Sequence, residues 1–420
     1  MNAGQAAHLI TWIICATATA GVIVRPFRWP EAIWAVAGAV VLVATGLLPL
    51  AQAWTAIGKG ADVYLFLAGM MLLSEVAREE GLFDRVAAFA VNHAGGSPRR
   101  LFVLVYGAGT VVTALLSNDA TAVVLTPAVY AAARAARAEP LPHLLVCALI
   151  ANAASFLLPI SNPANIVLYG DHTPPLGPWL TAFLLPSAAS ILVTFIALRL
   201  AERRGLAGEC ARRVETPPMT AGAWTAVTGI ALTAVVLLTV SALDLRLGPP
   251  TFVMGSVTAM IVWVRGRSQP LKTLRAVSWQ VLFLVAGLFV LVQALGATGL
   301  TGQLARFLAQ ASRASARETA AVAGAAIGVV CNLMNNLPAG LVAASAVQQA
   351  RPPQMVTDAL LIGVDLGPNF SVTGSLATIL WLTAIRREGE SVGFLRFLKV
   401  GVIVAPPALA LALAARLFVG

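Results

Sequence analysis

Two aspartates are the residues most able to do chemistry in this sequence, because both lie deep inside apolar segments. Asp119 stands between the apolar arms Leu101–Ser117 and Ala120–Ala135, and Asp365 begins a segment that runs on to Trp381. A carboxyl group at such depth in a membrane is costly unless it is paired, protonated or hydrated, so it marks a functional site. Other acidic residues stand near the ends of apolar segments or in loops, among them Glu31, Glu75, Asp171, Glu202 and Asp358.

Proton exchange is the chemistry that these two positions favour. Burial favours the neutral form of a carboxylic acid, and no Lys or Arg lies at matching depth to hold either group in a salt bridge. We therefore predict that Asp119 and Asp365 are proton-coupling residues. An alternative role, compatible with the first, is that each one caps the half-helix that follows it.

Uncharged polar residues cluster around the two aspartates. Their amides and hydroxyls donate and accept hydrogen bonds without fixed charge, which suits a neutral polyhydroxy solute or, together with the aspartates, a partly dehydrated cation. Any one of them is typical of a hydrogen bond between helices, but their recurrence at four breaks in two halves favours a binding site. The predicted substrate-binding residues are Ser117, Asn118, Asn152, Ser161, Asn162, Asn165, Asn335, Asn336, Thr373, Ser375 and Thr378.

Several other kinds of site are not indicated. The four His and four Cys residues do not have metal-ligand spacing, so no metal, cofactor or disulfide is predicted. The phosphate-binding pattern GxxxxGK[ST] does not occur, so the chain is not expected to hydrolyse ATP itself. We find no nucleophile–base pair and predict a secondary active transporter, not an enzyme.

Composition places the chain in lipid. Of its 420 residues, 59% are hydrophobic and only 11% charged, and the mean hydropathy is +0.84, whereas a soluble domain has about a quarter charged residues. The net charge of +10 does not indicate nucleic acid, because the basic residues are spread through short loops. Apolar runs long enough to cross a membrane recur along the chain. The sequence predicts an all-α polytopic membrane protein.

The chain also resembles itself. Val63–Gly69 is echoed by Val281–Gly287, and the pair Asn118-Asp119 by Asn335-Asn336, with the landmarks in the same order. This predicts two repeats, 1–202 and 221–420, joined by a cytoplasmic loop 203–220. Interruptions at matching places in two halves point to a binding site where the repeats meet.

Each repeat is predicted to contain one re-entrant hairpin and one span that breaks in mid-membrane. The hairpins are placed at about 98–136 and 317–350, with polar tips between apolar arms. The broken spans are placed at about 143–170 and 355–385, with breaks at Ser161-Asn162-Pro163 and near Gly374-Ser375. Interrupted backbone is tolerated at such depth only where protein or a cavity satisfies it. Amphipathic surface helices are expected before the hairpins, at Leu82–Ala94 and Leu300–Ser312.

Charge indicates the orientation. With five spans and one hairpin in each repeat, the repeats are inverted and both termini are periplasmic. Most of the 28 Lys and Arg residues then fall on the cytoplasmic side, as the positive-inside rule requires. If both hairpins are counted as crossings, the number of crossings keeps the same parity. The charge distribution therefore supports the orientation but does not test whether the hairpins are re-entrant.

Three segments resemble the arsenite permease, or arsenical pump membrane protein, family of the ion transporter superfamily. They are Ser117–Pro127, Met334–Pro338 and Asp365–Trp381, and the likeness extends over nearly the whole chain. The resemblance implies efflux of arsenite and antimonite across the bacterial inner membrane, driven by proton entry. It also implies the two-repeat fold and a cytoplasmic arsenite-stimulated ATPase as a partner of some members. Glu202–Thr220, with four arginines, is the expected docking surface, unless it is only a topology anchor.

Other functions share this architecture. A sodium–proton antiporter and a sodium-coupled carboxylate symporter are the main alternatives. A carboxylate carrier is expected to have Ser-Asn-Thr at both hairpins, whereas this chain has Ser-Asn-Asp and Asn-Asn-Leu. A passive metalloid channel would need no buried carboxyl groups.

Overall fold

The structure, a computed structural model, describes residues 3–170, 173–266 and 269–419. Every regular element in these ranges is helical, which confirms the predicted all-α class. A π-helical turn, Thr121–Leu125, and two 3-10 turns, Pro26–Arg28 and Gly367–Phe370, accompany the α-helices. In chain order these are α1 Ala3–Val24, α2 Glu31–Ala44, α3 Leu50–Lys59, α4 Ala61–Glu79, α5 Leu82–Ala94, α6 Pro98–Leu115, α7 Asn118–Ala120, α8 Thr126–Ala135, α9 Pro140–Ala153, α10 Pro163–Tyr169, α11 Leu176–Ala201, α12 Ala221–Ala242, α13 Gly248–Gly266, α14 Pro270–Ala276, α15 Gln280–Ala297, α16 Leu300–Ala314, α17 Ala316–Met334, α18 Asn336–Ala350, α19 Gln354–Leu366, α20 Leu376–Arg387 and α21 Phe394–Val419.

Several helices are suited to cross a membrane by length and composition. The described residues contain five such helices, and a sixth if α3 and α4, bent by 49° relative to each other, count as one span. The five are Gly4–Val24, Leu176–Ala201, Ala221–Ala242, Pro270–Ala297 and Phe394–Val419. The other helices are shorter or interrupted, and ten crossings in two inverted repeats remain a prediction.

Polar tips separate the arms of both predicted hairpins. In the first, α6 ends at Leu115 and a new helical run starts at Asn118, continuing through the π-helical turn into α8. In the second, α17 ends at Met334 and α18 starts at Asn336. Between them Asn335 has φ of +71° and ψ of 154°, outside the left-handed helical region and rare for any residue other than glycine.

The two helix breaks begin earlier in the chain than we expected. The first helix ends at Ala153, not at Ser161, and resumes at Pro163. The second ends at Leu366, well before Gly374, and resumes at Leu376. In the second break Pro368 provides no amide hydrogen for a continuing helix, so only a 3-10 turn follows.

Small residues allow the second hairpin to approach its broken span closely. Helix α17 packs along α19, with Gly324 and Gly328 against Gly363 and Gly367. A Cβ atom on Gly363 would collide with the Gly324 carbonyl oxygen, and one on Gly367 with that of Gly328. Such small-residue contacts are typical of helix packing in membranes, and here they fix the end of α19.

A buried ion pair, which the sequence analysis did not foresee, joins three helices. Asp358 of α19 is fully buried, although we placed it among peripheral acidic residues, and Arg416 of α21 is only 4% exposed. The guanidinium of Arg416 donates to Asp358 Oδ2 at 2.7 and 2.8 Å. The hydroxyl of Tyr169, at the end of α10, donates to Asp358 Oδ1.

We expect Arg416→Met to destabilise the protein, because it leaves the Asp358 carboxylate buried without its counter-ion. Loss of one partner of a buried pair costs about 3–5 kcal/mol. The double variant Asp358→Asn with Arg416→Met removes both charges and should recover most of that loss. Thermal unfolding in detergent measures both; a single variant as stable as wild type would contradict the prediction.

Candidate functional site

Four half-helices begin around one small central cavity. The first residues of α7, α10, α18 and α20 all line it, and α4 and α15 complete its wall. The first amides of a helix have no partner within the helix and carry partial positive charge. Partial positive charge from the starts of four helices therefore surrounds this cavity. It is lined by Leu67, Asn118, Asp119, Asn162, Pro163, Val281, Asn336, Leu337, Leu376 and Ala377.

Local hydrogen bonds hold the tip of the first hairpin. Ser117 Oγ accepts from the Ala120 amide at 3.2 Å, and Asn118 Oδ1 accepts from the Asp119 amide at 2.9 Å. The Asn118 amide donates to the Ser161 carbonyl oxygen at 3.0 Å, which ties the tip to the first break. These contacts fix the helical turn that carries Asp119.

The Asp119 side chain takes no part in the hydrogen bonds of that turn. It lines the central cavity and also a second cavity of about 70 Å³, which Ser117 shares. Across the described ranges of the chain, no side chain or backbone group is within hydrogen-bonding or ion-pairing distance of its carboxyl oxygens. A carboxyl group in this position is free to bind a proton or a ligand.

Asp365 has a different environment. It is fully buried, and both of its carboxyl oxygens accept hydrogen bonds. Ser155 Oγ donates to Oδ2 at 2.7 Å, and Asn162 Nδ2 donates to Oδ1 at 2.8 Å. The oxygen of the same Asn162 amide accepts from the Ala164 amide at 3.0 Å. Asp365 therefore connects α19 to the capping residue of α10.

The second hairpin tip repeats the contact of the first. The Asn336 amide donates to the Gly374 carbonyl oxygen at 2.8 Å, and Asn335 Nδ2 donates to the Thr373 carbonyl oxygen at 3.4 Å. Asn335 Oδ1 accepts from the Leu337 amide at 3.3 Å. The side-chain oxygen of Asn336 is buried without a hydrogen-bond partner in the described part of the chain. It is available to a ligand that donates.

A polar network closes the second break. Ser375 Oγ accepts from the Thr378 amide at 3.1 Å and contacts its hydroxyl at 2.9 Å. Asn152 Nδ2, on α9, donates to Thr378 Oγ1 at 3.3 Å and to Asn369 Oδ1 at 2.9 Å. The Thr373 hydroxyl donates to the Asn332 carbonyl oxygen at 3.1 Å. These residues link α9 to the second break.

Asn165 and Ser161 satisfy backbone groups of the first break. Asn165 Nδ2 lies within 3.0–3.3 Å of the carbonyl oxygens of Ser155, Leu158 and Pro159. Ser161 Oγ donates to the Ala114 carbonyl oxygen at 3.1 Å. Neither side chain lines the central cavity.

The predicted site residues thus divide into two groups. Asn118, Asp119, Asn162 and Asn336 line the central cavity, and Ser117 lines the second cavity. The others lie around the breaks and hold them in place: Asn152, Ser161, Asn165, Asn335, Asp365, Thr373, Ser375 and Thr378.

Sequence reasoning missed several residues of the network. Ser155, Asn332 and Asn369 each hydrogen-bond a predicted residue or its backbone. Asn369 belongs to the Asp365–Trp381 segment and could have been found there. Glu75 and Asp119 both line the second cavity. The sequence could have indicated Glu75, because it follows Leu67 by eight residues and such a spacing places both side chains on one face of α4.

Cavities open on both sides of the central one. A vestibule of about 800 Å³ is lined by Asp62 and Val63 of α4 and by Gly296 of α15. The second cavity is lined by Glu75 of α4 and by Ser278, just before α15. From Asp62 to Glu75, helix α4 thus passes first the vestibule, then the central cavity and then the second cavity. Along α15 the three cavities follow in the reverse order. The two helices pass the central cavity in opposite directions.

The sequence comparisons agree with the predicted resemblance. The family model described as citrate transporter matches residues 10–366. An arsenical pump membrane protein of Escherichia coli is 25% identical over 394 residues, which cover 90% of this chain and 91% of that protein. Another, of Yersinia enterocolitica, is 27% identical over 358 residues, or 82% and 83% of the two chains.

A solved structure has the same fold. The YdaH transporter of Alcanivorax borkumensis, described as having an unusual topology, superposes with a TM-score of 0.54 at 17% identity. The match covers 88% of this chain and 86% of that one. At this identity the likeness bears on the fold alone.

Two asparagine variants should distinguish a residue that stabilises the fold from a residue that binds substrate. Asn165→Ala removes the donor to the Ser155 and Pro159 carbonyl groups and should lower stability by about 1–3 kcal/mol, with the substrate affinity of the folded protein unchanged. Asn336→Ala removes a side-chain oxygen that has no partner in the described chain, so it should weaken binding with little loss of stability. Thermal unfolding and equilibrium binding distinguish them. The reverse pattern would show that we have assigned the two roles the wrong way round.

Proposed function

The chain belongs to the citrate transporter family, and from that premise we propose that it exports arsenite and antimonite across the bacterial inner membrane in exchange for protons. The observation that carries the proposal is Asp119. Its carboxyl group is unpaired within the described chain, faces uncharged donors and acceptors, and lines both the central cavity and the second cavity. A group that binds substrate and proton in turn must be accessible in this way.

The substrate chemistry fits this lining. Arsenous acid is neutral near neutral pH and has three hydroxyl groups, each of which donates and accepts hydrogen bonds. Its hydroxyls can donate to Asp119 and to the free oxygen of Asn336, and its oxygens would face the partial positive charge at the helix starts. The other polar residues predicted from the sequence support these contacts from behind.

Proton coupling follows from competition for one carboxyl group. A neutral solute gains nothing from the membrane voltage, so uphill export needs an ion that moves the other way. A proton arriving from the periplasm neutralises Asp119, which weakens the hydrogen bonds to the hydroxide and releases it. Loss of the proton toward the cytoplasm restores the binding site. We assign Asp365 a positioning role, because Ser155 and Asn162 already occupy its carboxyl oxygens.

The two-repeat organisation supplies the motion. Matching tip-to-break contacts in the two halves support inverted repeats: Asn118 with Ser161, and Asn336 with Gly374. Helix α10 packs on α18, and α20 packs on the π-helical turn of the first hairpin. We propose that these half-helices move as one body against α4 and α15, which exposes Asp119 to either cavity in turn.

A carboxylate substrate is the alternative that the family description favours. Converging helix starts would attract an anion, but Asp119 lines the central cavity without a counter-ion in the described chain, and its negative charge repels citrate. The central and second cavities have no Lys or Arg in their described lining. The arrangement therefore favours a neutral hydroxide over a tricarboxylate.

An ATPase partner is a further part of the proposal. Arg203, Arg204, Arg212 and Arg213 of the loop between the repeats are exposed. The loop itself is anchored on the first repeat, where the Cys210 amide donates to the Gly96 carbonyl oxygen at 3.0 Å and the Ala211 amide to that of Ala136 at 2.7 Å. An acidic partner that binds these arginines would lie next to both ends of the first hairpin.

Everted membrane vesicles test the coupling. Wild-type protein should take up arsenite against its gradient when the lumen is acidic, and arsenite should dissipate that pH gradient. Asp119→Asn should abolish both, since an amide cannot exchange the proton. Asp84→Asn, on α5 and outside the cavities, is the matched control and should behave like wild type. Full coupling in Asp119→Asn would refute the assignment.

Substrate class is tested by growth and by direct uptake. Expression in an arsenite-sensitive bacterium should confer resistance and lower intracellular arsenic, because net transport is outward. The same cells should not gain sodium-dependent citrate uptake. Citrate transport without arsenite resistance would instead support the carboxylate alternative.

A further inference from the structure

We propose that Glu75 is the second carboxyl group of the proton path, accepting the proton that leaves Asp119 and passing it to the aqueous face at the end of α4. The inference rests on the proposed function, since it adds an exit for the proton of the transport cycle. Exchange with arsenite requires the proton on Asp119 to reach the cytoplasmic water by some route.

The second cavity joins the two carboxyl groups. Glu75 and Asp119 both line it, and hydroxyl groups of Ser74, Ser117 and Ser278 line the space between α4 and the first hairpin. Its volume of about 70 Å³ is enough for water, which occupies about 30 Å³ per molecule in the liquid. Serine hydroxyls donate and accept, so they can hold a chain of water between the carboxyl groups.

Glu75 also connects the cavity to the surface. It is 8% exposed, and Arg78 Nε donates to its two carboxyl oxygens at 3.1 and 3.0 Å. The Arg78 side chain is 45% exposed. Glu75 and Arg78 thus form an ion pair between the second cavity and the surface.

The transfer is a relay without a change of oxidation state. The O–H bond of neutral Asp119 breaks, a cavity water carries the proton, and an O–H bond forms on the Glu75 carboxylate. Neutral Glu75 then loses its attraction to Arg78 and releases the proton to solvent, which restores the ion pair. The cycle returns every group to its starting state.

Charged groups on α4 and its neighbours define the surroundings. In addition to Arg78, they are Asp62 and Glu79 on α4, Lys59 on α3, Asp84 and Arg85 on α5, Arg265 on α13, and Lys272 and Arg275 on α14. Glu79 is one turn further along and accepts from the Thr273 hydroxyl instead, outside the lining of the second cavity. It is the natural comparison for Glu75.

Proteoliposomes with purified full-length protein provide two readouts. Net arsenite transport driven by a pH gradient needs the whole proton path, whereas exchange of labelled for unlabelled arsenite needs only the binding site and the motion. Glu75→Gln should lower net transport about tenfold or more, as loss of a proton-transfer group does, while exchange stays near wild type. Glu75→Asp should restore most of the net rate, and Glu79→Gln should leave both rates unchanged.

Every result of this experiment either supports or overturns the proton relay through Glu75. Net transport by Glu75→Gln at the wild-type rate overturns the relay, and so does an equal loss of exchange that Glu75→Asp fails to restore, since that pattern indicates a structural role. Failure of the proposed function looks different: wild-type protein then moves no protons with arsenite. Lost coupling in Asp119→Asn beside normal coupling in Glu75→Gln would refute the relay alone.

Discussion

Satisfaction of backbone polar groups in an apolar interior is the constraint on which this structure depends. A helix that stops inside a membrane leaves amides and carbonyls that water cannot reach, and each must find a partner in the protein. Four helix interruptions occur in the described part of the chain, and asparagine and serine side chains satisfy many of their backbone groups. Asn165 alone serves three carbonyl groups, and each hairpin tip donates an amide to the neighbouring break.

The same constraint produces the candidate site. Half-helices that are capped side by side present their starts to one small space, and that space is surrounded by their partial positive charge. Asp119 and Asp365 lie near it in unlike environments. Asp365 is already hydrogen-bonded and holds the two breaks together, whereas Asp119 faces the cavities. A single open carboxyl group among uncharged donors suits a substrate that is neutral, small and hydroxylated.

Local pattern was enough to predict much of the fold from the sequence. The apolar runs gave helices, and the clusters around Asn118 and Asn335 correctly marked the starts of α7 and α18. The predicted onset of the breaks was wrong, because the end of a helix depends on which distant side chains donate to its last carbonyl groups. The difference between Asp119 and Asp365 was not predictable either, since it arises from Ser155 and Asn162, more than 200 positions away from Asp365 along the chain.

Proton release on substrate binding tests the central claim most directly. Purified protein in weakly buffered detergent solution, at a pH where Asp119 is protonated, is mixed with arsenite while a pH-sensitive dye is recorded. Competition at one carboxyl group predicts that wild-type protein releases a proton as arsenite binds and that Asp119→Asn binds without release. Binding with no proton release by wild type, or equal release by the variant, would contradict the account.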